Sequence, residues 1–383
     1  MRIGLVAGEA SGDLLGAGLI RALRERIPDA RFEGIAGAAM VAAGCEQWES
    51  SEALAVMGLI EPLAHIPRLL RLRQSLCRRW LASPPDVFVG IDAPDFNLGL
   101  EKRLRKNGIK TVHYVSPSIW AWRPGRVHTV RDAVDRVLCI LPFEKPLYDE
   151  HRVDAVFVGH PKADSLPVAA DCVSARRQLG IVATEVVAVL PGSRSGEVSR
   201  LGGILADTAK QLASARPGIH FITPVATPKL RTMIEQQVNE AGVAESFTLL
   251  DGRSETAMIA ADVVLLASGT AALESALLGR PTIAAYRLAP ATAAIATIFR
   301  LVKLTHYTLP NLLTERPLVP EFMQSEAKSA SIAAAVAAML DDPERRRSIS
   351  REFAKLRSQL ALDADQRAAE AVLELAQRNY AAG

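Results

Sequence analysis

The strongest constraint on the fold is a regular alternation of short, β-rich runs with longer helix-like segments. Each run ends in Gly, Pro, Asp or Ser, and the first series reads RIGLVAG, FEGIAG, DVFVGIDAP, TVHYVSP, RVLCILP and AVFVGHP. Strands joined by helical connections form parallel sheets, because the chain must return to the same edge before the next strand begins. The alternation therefore predicts an α/β fold.

The alternation pauses after Pro161 and then starts again. A polar, helix-prone stretch separates the two series, and the second reads EVVAVLPGS, IHFITPVA, SFTLLDG, DVVLLAS and PTIAAYR. A chain of 383 residues also exceeds what one hydrophobic core usually covers. We therefore predict two doubly wound, Rossmann-like domains, 1–165 and 166–340, that face a cleft holding the site, followed by C-terminal helices over 341–383.

Composition excludes several classes of protein. Hydrophobic residues make up 49% and charged residues 23% of the chain, which is typical of a globular protein. A net charge of +3 and the lack of any RNA-module signature argue against a nucleic-acid partner. The four cysteines are widely spaced without a C-x-x-C pair, so neither a zinc site nor a disulfide framework is expected: Cys45, Cys77, Cys139 and Cys172.

Neither the first residues nor the most apolar segment suggests export or a membrane span. The first residues enter a glycine turn almost at once, which leaves no room for a signal peptide. The most apolar window, 288–299, has only 12 uncharged residues between Arg287 and Arg300, too few to cross a bilayer. We expect a cytoplasmic protein.

The glycine turn after the first run, GEASGDLLGAGL, is a candidate binding loop. A strand-to-helix turn of this kind lets the backbone, here at Gly12, approach a ligand closely. Its spacing is not that of a dinucleotide fingerprint, and Glu9 and Asp13 would repel a pyrophosphate. The loop is therefore either a sugar-binding loop or a tight turn capped by Ser11 or Asp13.

Two aspartates follow the third run of the first series, in VGIDAPDFNL. Asp92 and Asp95 fall just past a strand end, where ligands bind in open α/β sheets. A carboxylate there can act as a general base toward a sugar hydroxyl. Both aspartates could equally be turn formers or helix caps. No adjacent His or further carboxylate completes a metal site.

The second series contains two loops of the kind that binds phosphate. Small residues and one arginine open a helix in VLPGSRSGEV, and SGTAALE repeats the arrangement with a glutamate one turn inside the helix. Two such loops favour a nucleoside diphosphate over simple helix caps. The candidate residues are Ser193, Arg194, Ser268, Gly269, Thr270 and Glu274.

A third feature is an amphipathic, arginine-rich segment, HIPRLLRLRQSLCRRW. At 3.6 residues per turn its apolar stripe consists of Leu69, Leu72, Leu76 and Trp80. Such a helix either lies on anionic lipid or buries its stripe in a core. Two further tryptophans, Trp120 and Trp122 in SPSIWAWRPGRV, would also suit a lipid interface.

These motifs together resemble the lipid A disaccharide synthases, which are GT-B-type glycosyltransferases. The motifs that carry the resemblance span most of the chain in family order: LVAGEASGDLLGAGL, VMGLIEPL, VGIDAPDFNL, HYVSPSIWAWRPGRV, LPFEKPLY, VGHP, LPGSRSGEV, SGTAALE and LPNLL. The resemblance implies transfer of diacylglucosamine from UDP-2,3-diacylglucosamine to the 6-hydroxyl of 2,3-diacylglucosamine 1-phosphate. The anomeric centre inverts in one displacement, UDP is released, and no cofactor or metal is implied.

The resemblance also implies roles for individual residues. Asp92 is the base or positions the acceptor, and the acceptor-side residues are Glu9, Ser11, Gly12 and Asp95. The nucleotide-sugar side is formed by Ser193, Arg194, Ser268, Gly269, Thr270, Glu274 and Asn311, the last in LPNLL. Family members exchange C-terminal segments between protomers, so a homodimer in which Asn311 comes from the partner chain is one expectation. Packing of the C-terminal helices on the N-terminal domain is the other.

The implied membrane partner is the cytoplasmic surface of the inner membrane. The lipid-contacting residues would be Leu69, Leu72, Leu76, Trp80, Trp120 and Trp122. Two alternatives stay open, namely another GT-B enzyme acting on UDP-N-acetylglucosamine (a transferase or a 2-epimerase) and a non-catalytic membrane-surface protein. The chain departs from the family at GIAGAAM, where Ala36 and Ala38 replace Gly and Pro.

Overall fold

The computed structural model describes residues 1–55, 62–120, 125–168, 171–288 and 306–378. The chain divides into two compact units. The first consists of Met1–Asp164 and Leu360–Gly383, and the second of Ser165–Gln359. Both are parallel α/β units, which confirms the predicted fold class.

The first unit is built on a seven-stranded sheet in the order β3-β2-β1-β4-β5-β6-β7. Every neighbouring pair of strands is parallel. The central strand β4 is buried along its whole length, as expected of a strand with helices on both faces. The strands are β1 (Arg2–Ala7), β2 (Arg31–Ala36), β3 (Cys45–Ser50), β4 (Val87–Ile91), β5 (Lys110–Tyr114), β6 (Arg136–Cys139) and β7 (Ala155–Phe157).

The helices of the first unit alternate with these strands. They are α1 (Ala10–Arg26), α2 (Ala38–Ala42), α3 (Glu52–Ala55), α4 (Pro62–Ala82), α5 (Pro94–Lys106), α6 (Arg126–Ala133), α7 (Glu144–Glu150) and α8 (Pro161–Ser165), whose last residue crosses into the second unit.

The second unit has a six-stranded parallel sheet in the order β10-β9-β8-β11-β12-β13. Its strands are β8 (Val186–Leu190), β9 (His220–Val225), β10 (Phe247–Asp251), β11 (Val263–Ala267), β12 (Thr282–Tyr286) and β13 (Glu321–Met323). Its helices are α9 (Cys172–Gln178), α10 (Ser195–Ala215), α11 (Pro228–Ala241), α12 (Ser254–Ala260), α13 (Thr270–Leu277), α14 (Leu309–Leu313), α15 (Ser329–Asp341) and α16 (Pro343–Leu360), which ends at the first residue returned to the first unit.

The last helix, α17 (Ala364–Gln377), belongs to the first unit. Its apolar face joins the core of that unit through residues such as Val372. The buried Arg136 of β6 holds it by donating to the Ala371 carbonyl at 2.8 Å and to the Glu374 carboxylate at 2.9 Å. The chain returns to the first unit after Gln359, further along than the expected domain boundary at 340.

The described helices differ in length and in polarity. None of them has a stretch that is both long enough and apolar enough to cross a bilayer.

Candidate functional site

The loops that follow β1 and β4 lie side by side because these two strands are neighbours in the sheet. A Cβ atom on Gly8 would lie 2.4 Å from the Cβ of Ala93, so only glycine allows this approach. Glu9 and Ser11 are exposed at the start of α1, and Gly12 is buried in its first turn. The predicted acceptor-side residues therefore share one sheet edge with Asp92.

Asp13 in the same loop has a structural role. Its buried carboxylate accepts hydrogen bonds from the backbone N–H groups of Gly37, Ala39 and Met40 at 2.9 to 3.0 Å. It thus satisfies the N-terminus of α2 rather than capping its own helix. Ala38 begins α2 normally, so the Pro-to-Ala departure at this position leaves the helix intact.

The carboxyl ends of β4 and β5 carry strained backbone. Asp92 and Ala93 have φ angles of 52° and 43°, and Val115 has a φ of 77°. This left-handed conformation is uncommon for residues other than glycine and rare for a β-branched residue. Ile91 pairs with Tyr114, so the three residues are adjacent. Strain of this kind clusters where a side chain must be aimed at a ligand.

Two hydrogen bonds hold Asp92 in this conformation. Its N–H donates to the Tyr114 carbonyl at 2.9 Å, and its carbonyl accepts from the Asn97 side-chain amide at 2.8 Å. Asn97 is completely buried on α5, and its amide group can therefore act only inside the protein. Asp92 is half-buried and faces a cavity.

This cavity of the first unit has a volume of about 340 Å³. Arg126 also lines this cavity, and its guanidinium group forms an ion pair with the carboxylate of Asp95. The guanidinium side chain is 17% exposed, whereas the Asp95 side chain is 70% exposed. The lining residues are Asp92, Pro94, Asp95, Val115, Ser116, Pro117, Ser118, Ile119 and Arg126.

Trp120 packs against the protein rather than standing free for lipid. Its indole N–H donates to the buried Glu144 carboxylate at 3.3 Å, and its ring meets Phe143 edge-on at 5.0 Å. The carboxylate also accepts from the Leu141 N–H at 3.1 Å. Burial raises the pKa of Glu144 to about 7, although these hydrogen bonds oppose the shift. Trp122 lies outside the described residues.

The leucine stripe of α4 packs on the core, which corrects the expectation of lipid contact for Leu76 and Trp80. Leu76 and Trp80 are buried, and Leu69 and Leu72 pack partly buried on the same cluster. The Trp80 ring lies 4.9 Å from that of Phe88 on the sheet. Helical periodicity reports that one face is apolar without saying what covers it.

The two phosphate-type loops of the second unit line one cavity of about 550 Å³. Among the predicted residues it brings together Ser193, Arg194, Ser268, Gly269 and Thr270. These residues follow β8 and β11, which are neighbouring parallel strands. The carboxyl ends of such strands meet at one edge of the sheet, which explains why residues so far apart in sequence converge.

Glu197 of α10 organises the first of these loops. Its carboxylate accepts from the N–H of Ser193 at 3.0 Å and of Arg194 at 3.3 Å. Gly192 has a φ of 126°, and a Cβ there would lie 2.6 Å from the Glu197 side chain. The carboxylate thus already occupies two backbone donors, and the Arg194 side chain is left as the cationic group of the loop.

Two predicted nucleotide contacts do not line this cavity. Glu274 is half-buried one turn inside α13. Asn311 is buried and uses its whole amide locally: it donates to the Val319 carbonyl and Glu321, and it accepts from the N–H groups of Leu318 and Val319. Its geometry is that of a loop anchor, and its place near the nucleotide stays a prediction.

Sequence reasoning missed three residues that line the cavities. Arg126 and Tyr286 carry no spacing signal that links them to a site, because they come from α6 and β12, away from the motifs that indicated each cavity. Glu197 could have been found, since a glutamate in the first turn of a helix commonly accepts from backbone N–H groups. Within the described residues, no cluster of His, Cys, Asp and Glu is suited to hold a metal ion.

Two doubly wound units with loops at the strand ends define a class of protein, the GT-B fold. A solved glycosyltransferase of kitacinnamycin has this fold at a TM-score of 0.63 and 15% identity, covering 98% of each chain. A putative UDP-N-acetylglucosamine 2-epimerase from Listeria monocytogenes matches at a TM-score of 0.65 and 11% identity, covering 99% of this chain and 96% of that one.

Sequence similarity identifies the family within this class. The model of the lipid-A-disaccharide synthetase family matches residues 3–375. A lipid-A-disaccharide synthase from Alkalilimnicola ehrlichii is 49% identical over 382 residues, covering 99% of this chain and 100% of that protein. The chain belongs to the lipid-A-disaccharide synthetase family and is a glycosyltransferase.

Proposed function

We propose that the chain transfers 2,3-diacylglucosamine from its UDP derivative to the 6-hydroxyl of 2,3-diacylglucosamine 1-phosphate. The new bond joins the acceptor oxygen to the anomeric carbon of the donor. The bond that breaks joins this carbon to the diphosphate, and UDP leaves with the bonding electrons. The acceptor proton passes to a base on the enzyme, and the anomeric centre inverts.

In this proposal Asp92 is the base. The observation that carries the assignment is the strained backbone of Asp92 at the wall of the 340 Å³ cavity. A residue whose backbone is fixed by hydrogen bonds keeps its side chain directed at the substrate, which favours proton transfer. Glu9, Ser11 and Asp95 would surround the acceptor sugar at the same edge of the sheet.

The donor would bind in the cavity of the second unit. Arg194 and the start of α13 at Ser268 to Thr270 would take the diphosphate, because a guanidinium and free helix N–H groups both stabilise the charge that develops on UDP. Glu274, one turn inside α13, would then contact the nucleoside.

We further propose that the enzyme acts at the membrane surface, where both lipid substrates reside. The supporting feature is the outer face of α4, with Leu70 at 47% and Ile66 at 41% exposure. Arg68 and Arg71 are exposed on the same helix. Apolar side chains beside arginines suit an anionic lipid surface.

The test is UDP release by purified protein given UDP-2,3-diacylglucosamine, with and without diacylglucosamine 1-phosphate. We expect release only with the acceptor, together with a β-1,6-linked disaccharide. Acceptor-independent release, or epimerisation of UDP-N-acetylglucosamine in place of transfer, would contradict the proposal.

A further inference from the structure

We propose that Arg126 binds the anomeric phosphate of the acceptor and so makes the enzyme selective for a phosphorylated acceptor sugar. The inference rests on the proposed function, since it takes Asp92 as the base for the 6-hydroxyl. It adds a residue that recognises a second group of the acceptor, its phosphate.

Arg126 is the cation of the cavity that contains Asp92. It is the one Arg or Lys among the described residues that line this cavity. Its side chain is 83% buried against walls that include Val115, Pro117 and Ile119. An arginine in such surroundings is only partly hydrated, so an anion that reaches it gains more than it would at an open surface.

The present partner of Arg126 is a carboxylate that an incoming phosphate can displace or join. The carboxylate of Asp95 is 70% exposed and accepts from one Nη atom of the guanidinium. No other hydrogen bond of this guanidinium is found within the described part of the chain. Ion pairs with such an exposed member contribute little stability, and the guanidinium keeps further N–H groups for a second oxyanion.

The acceptor has the shape that these two groups require. In a hexopyranose C5, which carries the 6-hydroxymethyl group, and the anomeric carbon C1 lie on either side of the ring oxygen, so the 6-hydroxyl and the anomeric phosphate leave the ring at two separate points. Asp92 and Arg126 are separate wall residues of one cavity of about 340 Å³, within the usual size range of small-ligand pockets. A base at the 6-hydroxyl and a guanidinium at the anomeric phosphate would hold the sugar at two points, so that the 6-hydroxyl points to Asp92.

The experiment compares two acceptors across the unmodified chain and its variants. The acceptors are diacylglucosamine 1-phosphate and the same lipid without phosphate, and the proteins are the unmodified chain, Arg126→Ala and the control Arg131→Ala. Arg131 is exposed on the same helix, and replacing it by Ala removes one positive charge from a residue that does not line the cavity. We expect Arg126→Ala to lower kcat/KM for the phosphorylated acceptor ~10- to 100-fold, the size of a lost charged hydrogen bond.

The selectivity distinguishes this role from a general loss of activity. Activity with the dephosphorylated acceptor and the KM for the UDP donor should stay within about twofold of the unmodified chain, and Arg126→Lys should restore part of the selectivity. An equal loss with both acceptors would overturn the proposal. A raised donor KM instead would assign Arg126 to the diphosphate and also overturn it.

A binding measurement separates this proposal from the proposed function. Calorimetry with glucosamine 1-phosphate, glucosamine and inorganic phosphate needs no turnover. We expect the unmodified chain to prefer glucosamine 1-phosphate and Arg126→Ala to lose that preference while melting at the same temperature. Equal binding by both proteins would refute the role of Arg126, whatever the turnover assay shows. A chain that binds but does not turn over would refute the proposed reaction alone.

Discussion

At the scale of single residues, the backbone of Asp92 accounts for much of the first cavity. A left-handed residue other than glycine costs of order 1–3 kcal/mol, and three of them adjoin here: Asp92, Ala93 and Val115. The surrounding structure must supply this free energy. Asn97 supplies part of it by donating a hydrogen bond from its side-chain amide to the Asp92 carbonyl.

Replacing the carboxylate should separate chemistry from binding. We expect Asp92→Asn to reduce kcat at least ~100-fold, because the amide cannot accept the acceptor proton. UDP affinity, measured by calorimetry, should be unchanged, since the 550 Å³ cavity belongs to the other unit. A variant with near-normal kcat would remove Asp92 as the base.

Removing the support of Asp92 should affect both activity and stability. Asn97→Ala leaves the Asp92 carbonyl without its side-chain donor, and we expect a loss of about 1–3 kcal/mol in the free energy of unfolding. We also expect a lower kcat with little change in the donor KM. If kcat is unchanged while the melting temperature falls, Asn97 supports the fold alone.

The sequence located the two aspartates because their position after a strand is a local property. It could not locate Arg126, since the pairing of that residue with Asp95 depends on how α6 packs against the first turn of α5. The left-handed φ angles were also out of reach, because Ile-Asp-Ala-Pro contains no glycine to signal them.

At the scale of elements, α4 shows the limit of helical periodicity. The same stripe would form on lipid or on a core, and only the neighbouring Phe88 and Trp48 reveal that it is a core. Strand β3 shows a second limit. Its sequence, CEQWES, is too polar for the pattern that identified the other strands of this sheet, since it lies at the edge.

Two substitutions on α4 should therefore behave differently. Leu76→Ala should cost about 2–5 kcal/mol in the free energy of unfolding, because Leu76 is buried in the core. Leu70→Ser should stay within about 0.5 kcal/mol and instead weaken binding to anionic vesicles in a sedimentation assay. Unchanged vesicle binding by Leu70→Ser would remove this face from the proposed membrane contact.

The burial of Glu144 should make the stability of the fold depend on pH. The unfolded carboxyl loses its proton near pH 4.5, whereas the folded one, with its raised pKa, keeps the proton to about 7. The folded state binds more protons in this window, so the free energy of unfolding falls as pH rises through it.

The measurement is urea unfolding of the unmodified chain and of Glu144→Gln from pH 4 to 8. Relative to the variant, which cannot titrate, the unmodified chain should lose about 3 kcal/mol across this range. A constant difference between the two proteins would mean that the folded carboxyl titrates at its ordinary pKa.

At the scale of the whole molecule, two features of the domain plan follow from the sequence and one does not. The paired series of strands predicts two parallel sheets, and the pause between the series predicts where the first sheet ends. The sequence could not decide whether α17 packs on the first unit of its own chain or on a partner protomer. An apolar helix face does not identify its neighbour.

Arg136 ties this helix to the sheet, and its surroundings predict an unequal response to mutation. Replacing both carboxylate partners, Asp154→Ala with Glu374→Ala, leaves a guanidinium that is 2% exposed without a counter-charge, and should cost about 3–5 kcal/mol. Arg136→Met should cost less, about 1–2 kcal/mol, since the carboxylates left behind reach solvent. Thermal unfolding would compare them, and an equal cost would contradict this explanation.

The position of α17 has a consequence for the newborn protein. The N-terminal segment of the first unit ends at Asp164, but one side of its core is covered only when residues 364–377 have been synthesised. At translation speeds of 5–20 residues per second, roughly ten to forty seconds separate the two events. During that interval α1 and strands β4, β5 and β6 expose the apolar surface that α17 later covers. A chain truncated before residue 364 would therefore be an aggregation-prone, protease-sensitive fragment rather than a free-standing first unit.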